Sequence, residues 1–212
     1  MTTSPSSQDH PERSARRVQL FGKEEFATLF AAWRDRVRIA VEGGAPPRRA
    51  NAPAFAGALN PPGSGAWALV GIKRRGAVLA RRLWNALSTE KSPLLYGEID
   101  FSLYRDDYHL QTEKAMVLGT EISFRVEGVK ILLVDDVLFT GRTVRAAMDL
   151  LLDFGRPRVI SLAVFVDRGH RELPISANLV GREIATDPQD QVLVTLAEMG
   201  ESDGVELVKK GS

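Results

Sequence analysis

The 212-residue sequence contains no cysteine, which excludes disulfide bonds, thiolate nucleophiles and cysteine-ligated zinc sites. No apolar run approaches the length that spans a bilayer, and residues 1–19 lack the apolar core of a secretion signal. Neither sign of charge dominates, because 28 basic residues accompany 27 acidic ones, so net charge does not indicate a nucleic-acid partner. We therefore expect a cytoplasmic protein without a membrane segment, long enough to form one α/β domain.

The most informative stretch is residues 130–143, which read KILLVDDVLFTGRT. Its apolar first part is typical of a strand that is buried on both faces of a parallel sheet. Asp135 and Asp136 follow, and a glycine-containing loop then leads into residues 144–154, which have apolar side chains at helical spacing. A loop that enters a helix N-terminus offers free backbone N–H groups, so this stretch predicts a phosphate site.

The two carboxylates beside that anion site restrict the kind of ligand. Carboxylates suit a ligand that also carries hydroxyl groups or magnesium. A solvated strand end is the alternative explanation of an acidic pair, and the attached Thr-Gly-Arg-Thr loop makes it the weaker one. A Walker B strand is excluded, because no Walker A sequence occurs in the chain.

A second strand–loop–helix unit precedes this one. An apolar strand is predicted over residues 66–72 and a helix over residues 77–87, and three consecutive cations, residues 73–75, lie between them. Such a run is usually a solvated loop. At the end of a buried strand it is well suited to binding pyrophosphate, because guanidinium groups bind phosphate oxygens bidentately.

The first 65 residues are divided by composition into a tail, a helix and a loop. Residues 1–20 are polar and predict a disordered tail, and residues 21–212 are expected to form a single domain. Residues 21–41 predict an amphipathic helix whose arginines fit a solvated face better than a polyanion site. Residues 43–65 predict a Pro/Gly-rich loop insertion.

The remaining elements complete an α/β pattern with a parallel sheet. Between two of the strands lies a polar stretch without periodicity, residues 104–114, which we interpret as a mobile flap. Strands are predicted over residues 94–103, 121–126, 159–166, 192–196 and 205–208.

Residues 68–208 as a whole resemble the PyrR family, pyrimidine operon attenuation regulators that are also uracil phosphoribosyltransferases. The resemblance implies the type I phosphoribosyltransferase fold, which is a parallel sheet flanked by helices with a flexible flap and a small hood. It also implies a homo-oligomer. It rests on VGIKRRG (70–76), GEID (97–100), LYRDD (103–107), residues 130–148, GRP (155–157) and VDRGHRELPI (166–175).

The resemblance further implies a reaction and the residues that carry it. Uracil and phosphoribosyl pyrophosphate (PRPP), bound with Mg²⁺, would give UMP and pyrophosphate. Asp135 and Asp136 would hold the ribose hydroxyls, and Arg105 would close over the pyrophosphate from the flap. The other implied contacts are Val137, Leu138, Phe139, Thr140, Gly141, Arg142 and Thr143 around the 5′-phosphate, Arg74 and Arg75 at the pyrophosphate, and Arg168 and Val192 at the nucleotide and base.

Some positions depart from the family pattern and leave alternatives open. The helix at residues 30–40 has no histidine, and Ser176 stands where relatives usually have arginine. Glu183 and Ala185 also differ, and all three changes are expected in the hood. The alternative functions are an RNA-binding attenuation regulator that responds to UMP or UTP on a pyrimidine-leader mRNA, and a phosphoribosyltransferase for another base. The altered helix and the balanced charge predict weak RNA binding.

Overall fold

The computed structural model describes residues 16–43, 65–100 and 119–209. Within these ranges the chain forms nine strands, three α-helices and a short 3₁₀ helix. No helix of this part of the chain is long and apolar enough to cross a membrane. In chain order the elements are β1 (Arg16–Phe21), α1 (Lys23–Val41), β2 (Trp67–Ile72), α2 (Arg75–Leu87), β3 (Leu95–Ile99), β4 (Glu121–Ile122), β5 (Lys130–Leu138), α3 (Arg142–Asp153), β6 (Val159–Asp167), β7 (Leu179–Glu183), β8 (Gln191–Thr195), the 3₁₀ helix (Ala197–Met199) and β9 (Gly204–Lys209).

The strands form two sheets. The larger sheet has the order β4-β3-β2-β5-β6-β7, and every neighbouring pair in it is parallel except the one that includes the two-residue β4. The smaller sheet is antiparallel, with the order β1-β9-β8, and we call it the hood. A parallel sheet joined through helices confirms the α/β class predicted from the sequence.

Helices cover both faces of the larger sheet, as the apolar character of its central strands requires. Successive side chains of a strand point to opposite faces, so Leu69 and Val70 in β2 belong to different cores. The first core combines α1, α2 and the hood, whose Val194 and Val205 are fully buried in it. The second core is covered by α3. Because one core is shared between the hood and the larger sheet, the two sheets pack as one unit.

Aromatic side chains hold α1 against the sheet. The ring of Phe165 in β6 lies 4.7 Å from that of Phe26 and 5.5 Å from that of Trp33, measured between centroids. These α1 residues lie seven positions apart on one helical face, as the spacing in the sequence predicts. The predicted helix is therefore confirmed, although it begins at Lys23 rather than at residue 21.

Two predicted boundaries are corrected by the structure, and some predictions fall outside it. Residues 16–20 lie in β1, which pairs with β9, so the predicted tail must be shortened at least to residues 1–15. The strand predicted at 121–126 contains only Glu121 and Ile122, and β7 was not predicted at all. Residues 1–15, residues 44–64 of the insertion and the flap with Arg105 lie outside the described residues.

Candidate active site

The acidic pair lies inside a strand rather than after it. The sequence predicted a strand end at Val134, and the pairing of β5 with β2 does stop there. On its other side β5 continues to pair with β6, which is longer than β2, as far as Leu138. Asp135 and Asp136 therefore belong to a part of β5 that is hydrogen-bonded to one neighbour only. The open side is next to the turn by which β2 enters α2.

Burial determines the electrostatics of the pair. Only 5% of Asp135 is exposed, and its Oδ1 accepts a hydrogen bond of 2.9 Å from the backbone N–H of Asp136. Burial raises the pKa of the Asp135 carboxyl well above its usual value, and the adjacent charge of Asp136 raises it further. Burial also raises the pKa of Asp136, although the positive charge of Arg75 opposes this shift. Both carboxyls thus hold their protons more strongly than exposed aspartates do.

The cationic turn lies directly against this pair. A Cβ atom at Gly76 would lie only 2.6 Å from the carbonyl oxygen of Val134 and 2.9 Å from the Cα of Asp135. Glycine is therefore required for this close approach of α2 to β5. The turn and the acidic pair, which are some 60 residues apart in the sequence, form one side of the same site.

The cations of this turn have different partners. Arg75 donates from Nε to the carbonyl oxygen of Val194 in the hood, at 2.6 Å. Lys73 lies 3.4 Å from carboxylate oxygens of both Glu98 and Glu121. Arg74 lines a cavity of about 340 Å³ together with Lys73. The predicted pyrophosphate residues Arg74 and Arg75 are therefore brought to the same edge of the sheet as the acidic pair.

The loop between β5 and α3, residues 139–141, has the geometry of an anion site. Gly141 adopts a left-handed conformation (φ 92°) as the residue before α3 and has no side chain to cap this helix end. The Thr140 hydroxyl accepts from the N–H of Arg142 at 3.3 Å. The following N–H groups of the first turn of α3, beginning with that of Thr143, have no partner within the helix and are thus available to a ligand. Arg142 donates to Glu172 at 2.6 Å and its side chain remains largely exposed.

Not every predicted phosphate contact lies in this loop. Val137 and Leu138 are residues of β5, and their side chains pack into the two hydrophobic cores. Only their backbone groups remain for a ligand. Of the predicted set, Phe139, Thr140 and Gly141 form the loop itself.

The two residues predicted at the nucleotide and base have partners within the protein. Arg168 is buried and donates to the Thr186 hydroxyl and to backbone carbonyls, including that of Asp187 at 2.7 Å. Its guanidinium also lies over the Phe139 ring, 4.1 Å from the centroid. Val192 packs its side chain into the core shared with the hood, rather than into an open site. Arg168 thus connects the hood side of the protein to the β5–α3 loop.

The departures from the family pattern do not lie together. Ser176 was expected in the hood, but it lines a cavity of about 390 Å³ beside α3 together with Met148. Glu183 ends β7, and Ala185 lies in the connection from β7 to the hood. Only the last two are therefore close to the part of the chain that leads into the hood.

Sequence reasoning assigned no role to Arg171 and Asp167, although it quoted the segment that contains them. The carboxylate of Asp167 accepts from Arg171 at 2.6 Å, and the Arg171 guanidinium also contacts the β5–α3 loop. Acidic and basic residues a few positions apart are common at the ends of strands, so nothing in the sequence distinguished this pair.

Comparison with known proteins agrees with this geometry. A family model described as the phosphoribosyl transferase domain matches residues 59–194. The bifunctional protein PyrR of Halalkalibacterium halodurans is 49% identical over 147 residues, which cover 68% of this chain and 82% of that protein. The bifunctional protein PyrR of Bacillus subtilis strain 168 is 51% identical over 138 residues, which cover 64% of this chain and 76% of that protein. The chain belongs to the PyrR family.

Solved structures place this PyrR-family chain in the type I phosphoribosyltransferase fold. A hypoxanthine-guanine phosphoribosyltransferase from Bacillus anthracis superposes with a TM-score of 0.60, covering 90% of this chain and 97% of that one. Its sequence identity of 14% supports likeness of fold alone. The family and the fold predicted from the sequence are thus confirmed, and the PyrR-family chain is a phosphoribosyltransferase.

Proposed function

We propose that this protein transfers the phosphoribosyl group of PRPP to uracil, giving UMP and pyrophosphate. One observation carries the proposal: the acidic pair, the β5–α3 loop and the cationic turn lie at a single edge of the sheet. PRPP has ribose hydroxyls between a 5′-phosphate and a pyrophosphate. Hydrogen-bond acceptors flanked by two anion sites are the matching arrangement. The PyrR relatives support a pyrimidine as the base.

The reaction needs positioning and charge stabilisation more than a side-chain nucleophile. As the bond from ribosyl C1 to pyrophosphate breaks and the bond to uracil N1 forms, C1 becomes cationic. Asp135 and Asp136 hold the ribose and place negative charge near this centre, in a buried environment where charge acts strongly. Arg74 and Arg75 neutralise the departing pyrophosphate. The pyrophosphate oxygen leaves with the electron pair of the broken bond, and uracil loses its N1 proton to water as the new bond forms.

Magnesium suits the acidic pair. The buried Asp135 and the half-buried Asp136 both have raised pKa values, so a nearby cation stabilises their charged forms, and oxygen is the ligand that Mg²⁺ prefers. Within residues 16–43, 65–100 and 119–209, no group of three or more acidic, histidine or cysteine side chains could hold a metal alone. Asp135 and Asp136 would therefore hold the ion jointly with PRPP. When bound, it neutralises charge on the pyrophosphate.

The base is tested directly by enzyme assay. UMP formation from PRPP and uracil is measured beside reactions with hypoxanthine, guanine and orotate, each at saturating Mg²⁺. We expect turnover with uracil to exceed that with every other base. Faster turnover with a purine would contradict the choice of uracil and favour the alternative, a phosphoribosyltransferase for another base.

We further propose that Arg105 closes over the pyrophosphate from the flap, on the basis of the sequence resemblance. Arg105→Ala should lower kcat and weaken PRPP binding, with little change in Tm, because a loop residue contributes little to the core. Steady-state kinetics and thermal melts check this prediction. A large fall in Tm would instead show that Arg105 has a structural role.

A second candidate function is regulation through RNA. Membership of the PyrR family favours it, because the family includes regulators of pyrimidine genes. A pyrimidine-leader RNA would then bind in a manner that depends on UMP or UTP. The catalytic proposal does not depend on this function, and the two are measured separately.

A further inference from the structure

We propose that Arg171 positions the β5–α3 loop for phosphate binding. It holds carbonyl groups of the loop on one side, so that the N–H groups of the loop face the opposite, open side. The inference rests on the proposed function to the extent that a phosphate of the ligand occupies this loop. Arg171 is thus a positioning residue, which acts through the loop backbone rather than by touching the ligand.

The Arg171 guanidinium is fully engaged within the protein. Its Nη1 donates to the carbonyl oxygens of Phe139 at 2.7 Å and Gly169 at 2.9 Å. Its Nε donates to the carbonyl oxygen of Ile175 at 3.0 Å, and its Nη2 donates to the Asp167 carboxylate at 2.6 Å. Each of its three nitrogens therefore has an acceptor, and only 23% of the side chain is exposed.

Backbone donors from the same segment complete the set of contacts. We call residues 168–175 the brace. The N–H of Arg168 donates to the carbonyl oxygen of Leu138 at 3.1 Å. The N–H groups of Glu172 and Leu173 both donate to the carbonyl oxygen of Thr140, at 3.0 and 3.1 Å. Three consecutive carbonyl groups at the end of β5 and in the loop therefore face the brace.

The geometry of the peptide bond determines where the N–H groups of the loop point. A trans peptide is planar, and its C=O and N–H groups point in opposite directions. Among the residues that the structure describes, only the Lys73–Arg74 peptide is cis. Because the carbonyls before them face the brace, the N–H groups of Phe139, Thr140 and Gly141 point away from it. They lie just before the N-terminus of α3, where the N–H of Arg142 donates to the Thr140 hydroxyl and the next N–H groups of the first turn can also donate to an anion.

Arginine suits this position better than lysine would. The acceptors are three carbonyls on Nη1, one on Nε and a carboxylate on Nη2, which lie in different directions around one planar group. A guanidinium presents five N–H donors in a fixed fork, whereas a lysine ammonium has three donors on one nitrogen. Lysine at position 171 can keep the charge beside Asp167 but cannot reach all of these acceptors. Lysine therefore separates the effect of charge from that of geometry.

The first test uses Arg171→Lys and Arg171→Gln with ribose 5-phosphate as the probe, measured by calorimetry. This molecule carries the 5′-phosphate and the hydroxyls without base or pyrophosphate. Charge-assisted hydrogen bonds are strong, so we expect each variant to bind the probe roughly 10- to 100-fold more weakly. In turnover assays, KM for PRPP should rise by a larger factor than kcat falls.

The matched control is Arg145→Lys. Arg145 is an exposed arginine on α3 whose side chain pairs with Asp149. Its backbone N–H donates to the carbonyl oxygen of Gly141, which the substitution leaves in place, and its side chain makes no described contact with the loop. Binding of ribose 5-phosphate should be unchanged in this variant. A folded Arg171→Lys protein that binds the probe as tightly as the wild type would overturn the proposal.

The second test uses the unmodified protein and needs no folded variant. Amide hydrogen exchange is followed by NMR with and without saturating ribose 5-phosphate. The amides of Phe139, Thr140 and Gly141 should exchange rapidly in the free protein and become protected by the probe. The amides of Glu172 and Leu173 should be protected in both states. Loop amides that are unaffected by the probe would contradict the proposal.

The two tests separate this inference from the proposed function. If the protein does not turn over uracil but binds ribose 5-phosphate in a way that depends on Arg171, only the choice of base is wrong. If the protein turns over uracil but its binding of ribose 5-phosphate does not depend on Arg171, only the positioning role is wrong.

Discussion

The role proposed for Asp135 and Asp136 opposes stability at single residues. Asp135 is buried and Asp136 is half-buried, loss of water raises the pKa of both, and the charge of Asp136 acts on Asp135 directly. The positive charge of Arg75 lowers the pKa of Asp136, but Arg75 is also hydrogen-bonded to the hood. The charged pair therefore lacks full compensation until a ligand supplies hydroxyl donors or a cation.

The first prediction concerns turnover. Asp135→Asn and Asp136→Asn should each lower kcat about 100-fold or more, because each removes charge beside the cationic C1 of the transition state. The measurement is kcat at saturating PRPP and Mg²⁺. Asp149→Asn on the exposed face of α3 is the control and should be unchanged. Full activity in both site variants would disprove their assignment to the ribose.

The second prediction concerns stability and its dependence on pH. The pKa of Asp135 is higher in the folded protein than in the unfolded chain, where it is about 3.9. The favourable contribution of this residue is therefore complete below the unfolded pKa and is lost as pH rises through the folded pKa. Asparagine remains neutral throughout. Asp135→Asn should thus raise Tm at neutral pH, and its advantage should disappear as pH falls toward about 4.

Thermal melts over this pH range test the second prediction, again with Asp149→Asn as the control. The same variant that loses turnover is expected to gain stability, a trade-off common at active sites. A lower Tm for Asp135→Asn at neutral pH would show that the charged carboxylate has a stabilising partner.

Among the elements, α2 determines how close the cationic turn comes to the acidic pair. A Cβ atom at Gly71 in β2 would lie 2.4 Å from the Cα of Ala77, and one at Gly76 would meet the backbone of β5. Two glycines, one in the sheet and one in the helix, therefore allow an unusually close approach of helix to strand. The position of the turn depends on this packing as much as on its own sequence.

The third prediction follows from that packing. Gly76→Ala should force the start of α2 away from Asp135 and destabilise the protein by about 1–3 kcal/mol. For a chain of this size that corresponds to a fall in Tm of roughly 2–12 °C. Affinity for PRPP should fall as well, because the turn and the acidic pair separate.

Gly65→Ala is the matched control for this change. A Cβ atom at Gly65 would have its nearest contact at 3.4 Å, an ordinary van der Waals distance. Its Tm and affinity for PRPP should be close to those of the wild type. Equal effects of the two substitutions would mean that helix–strand distance is not the cause.

At the level of the whole molecule, the positive charges of α1 are partly neutralised within the protein. Arg34 and Arg38 both lie near the carboxylate of Asp35, at 3.0 and 3.7 Å. Arg36 donates to the carbonyl oxygen of Gly181. An RNA phosphate would have to compete with these partners, and the total charge of +1 provides little long-range attraction.

The fourth prediction is therefore weak binding of a pyrimidine-leader hairpin at physiological salt, with catalysis retained. Each phosphate contact contributes roughly 0.7–0.9 to the slope of log affinity against log salt, so a shallow slope is expected as well. Filter binding over a range of salt, with and without UMP, measures both quantities. A tight complex that UMP strengthens would restore regulation as the main function.

The sequence predicted best those features that depend on local patterns. The apolar run of β5, the Thr-Gly-Arg-Thr loop and the helical spacing of α1 are all visible in a few consecutive residues. The strand β7 was missed because Leu179 and Val180 are its only fully buried residues. The extension of β5 to Leu138 was missed because it depends on the length of a neighbouring strand, which the segment itself does not reveal.

In the site, likewise, the sequence predicted features that residue type reveals and missed contacts that only the folded chain creates. The acidic pair and the cationic turn were predicted from residue type, since carboxylates and guanidinium groups have few roles at strand ends. The contacts of Arg171 are mostly to backbone carbonyls, which every residue possesses. Residue type therefore does not identify them, and only the folded chain brings them together.

The pairing of β1 with β9 has a consequence for the order of folding. Arg16 is the register partner of Lys209, so this sheet joins segments separated by 193 positions in the chain. Contacts between such distant segments form slowly, because a long loop must close first. During synthesis β1 leaves the ribosome early and has no partner until β9 has been made. The parallel sheet can assemble beforehand, so we expect hood closure to be a late kinetic phase, distinct from formation of the acidic pair and its loop.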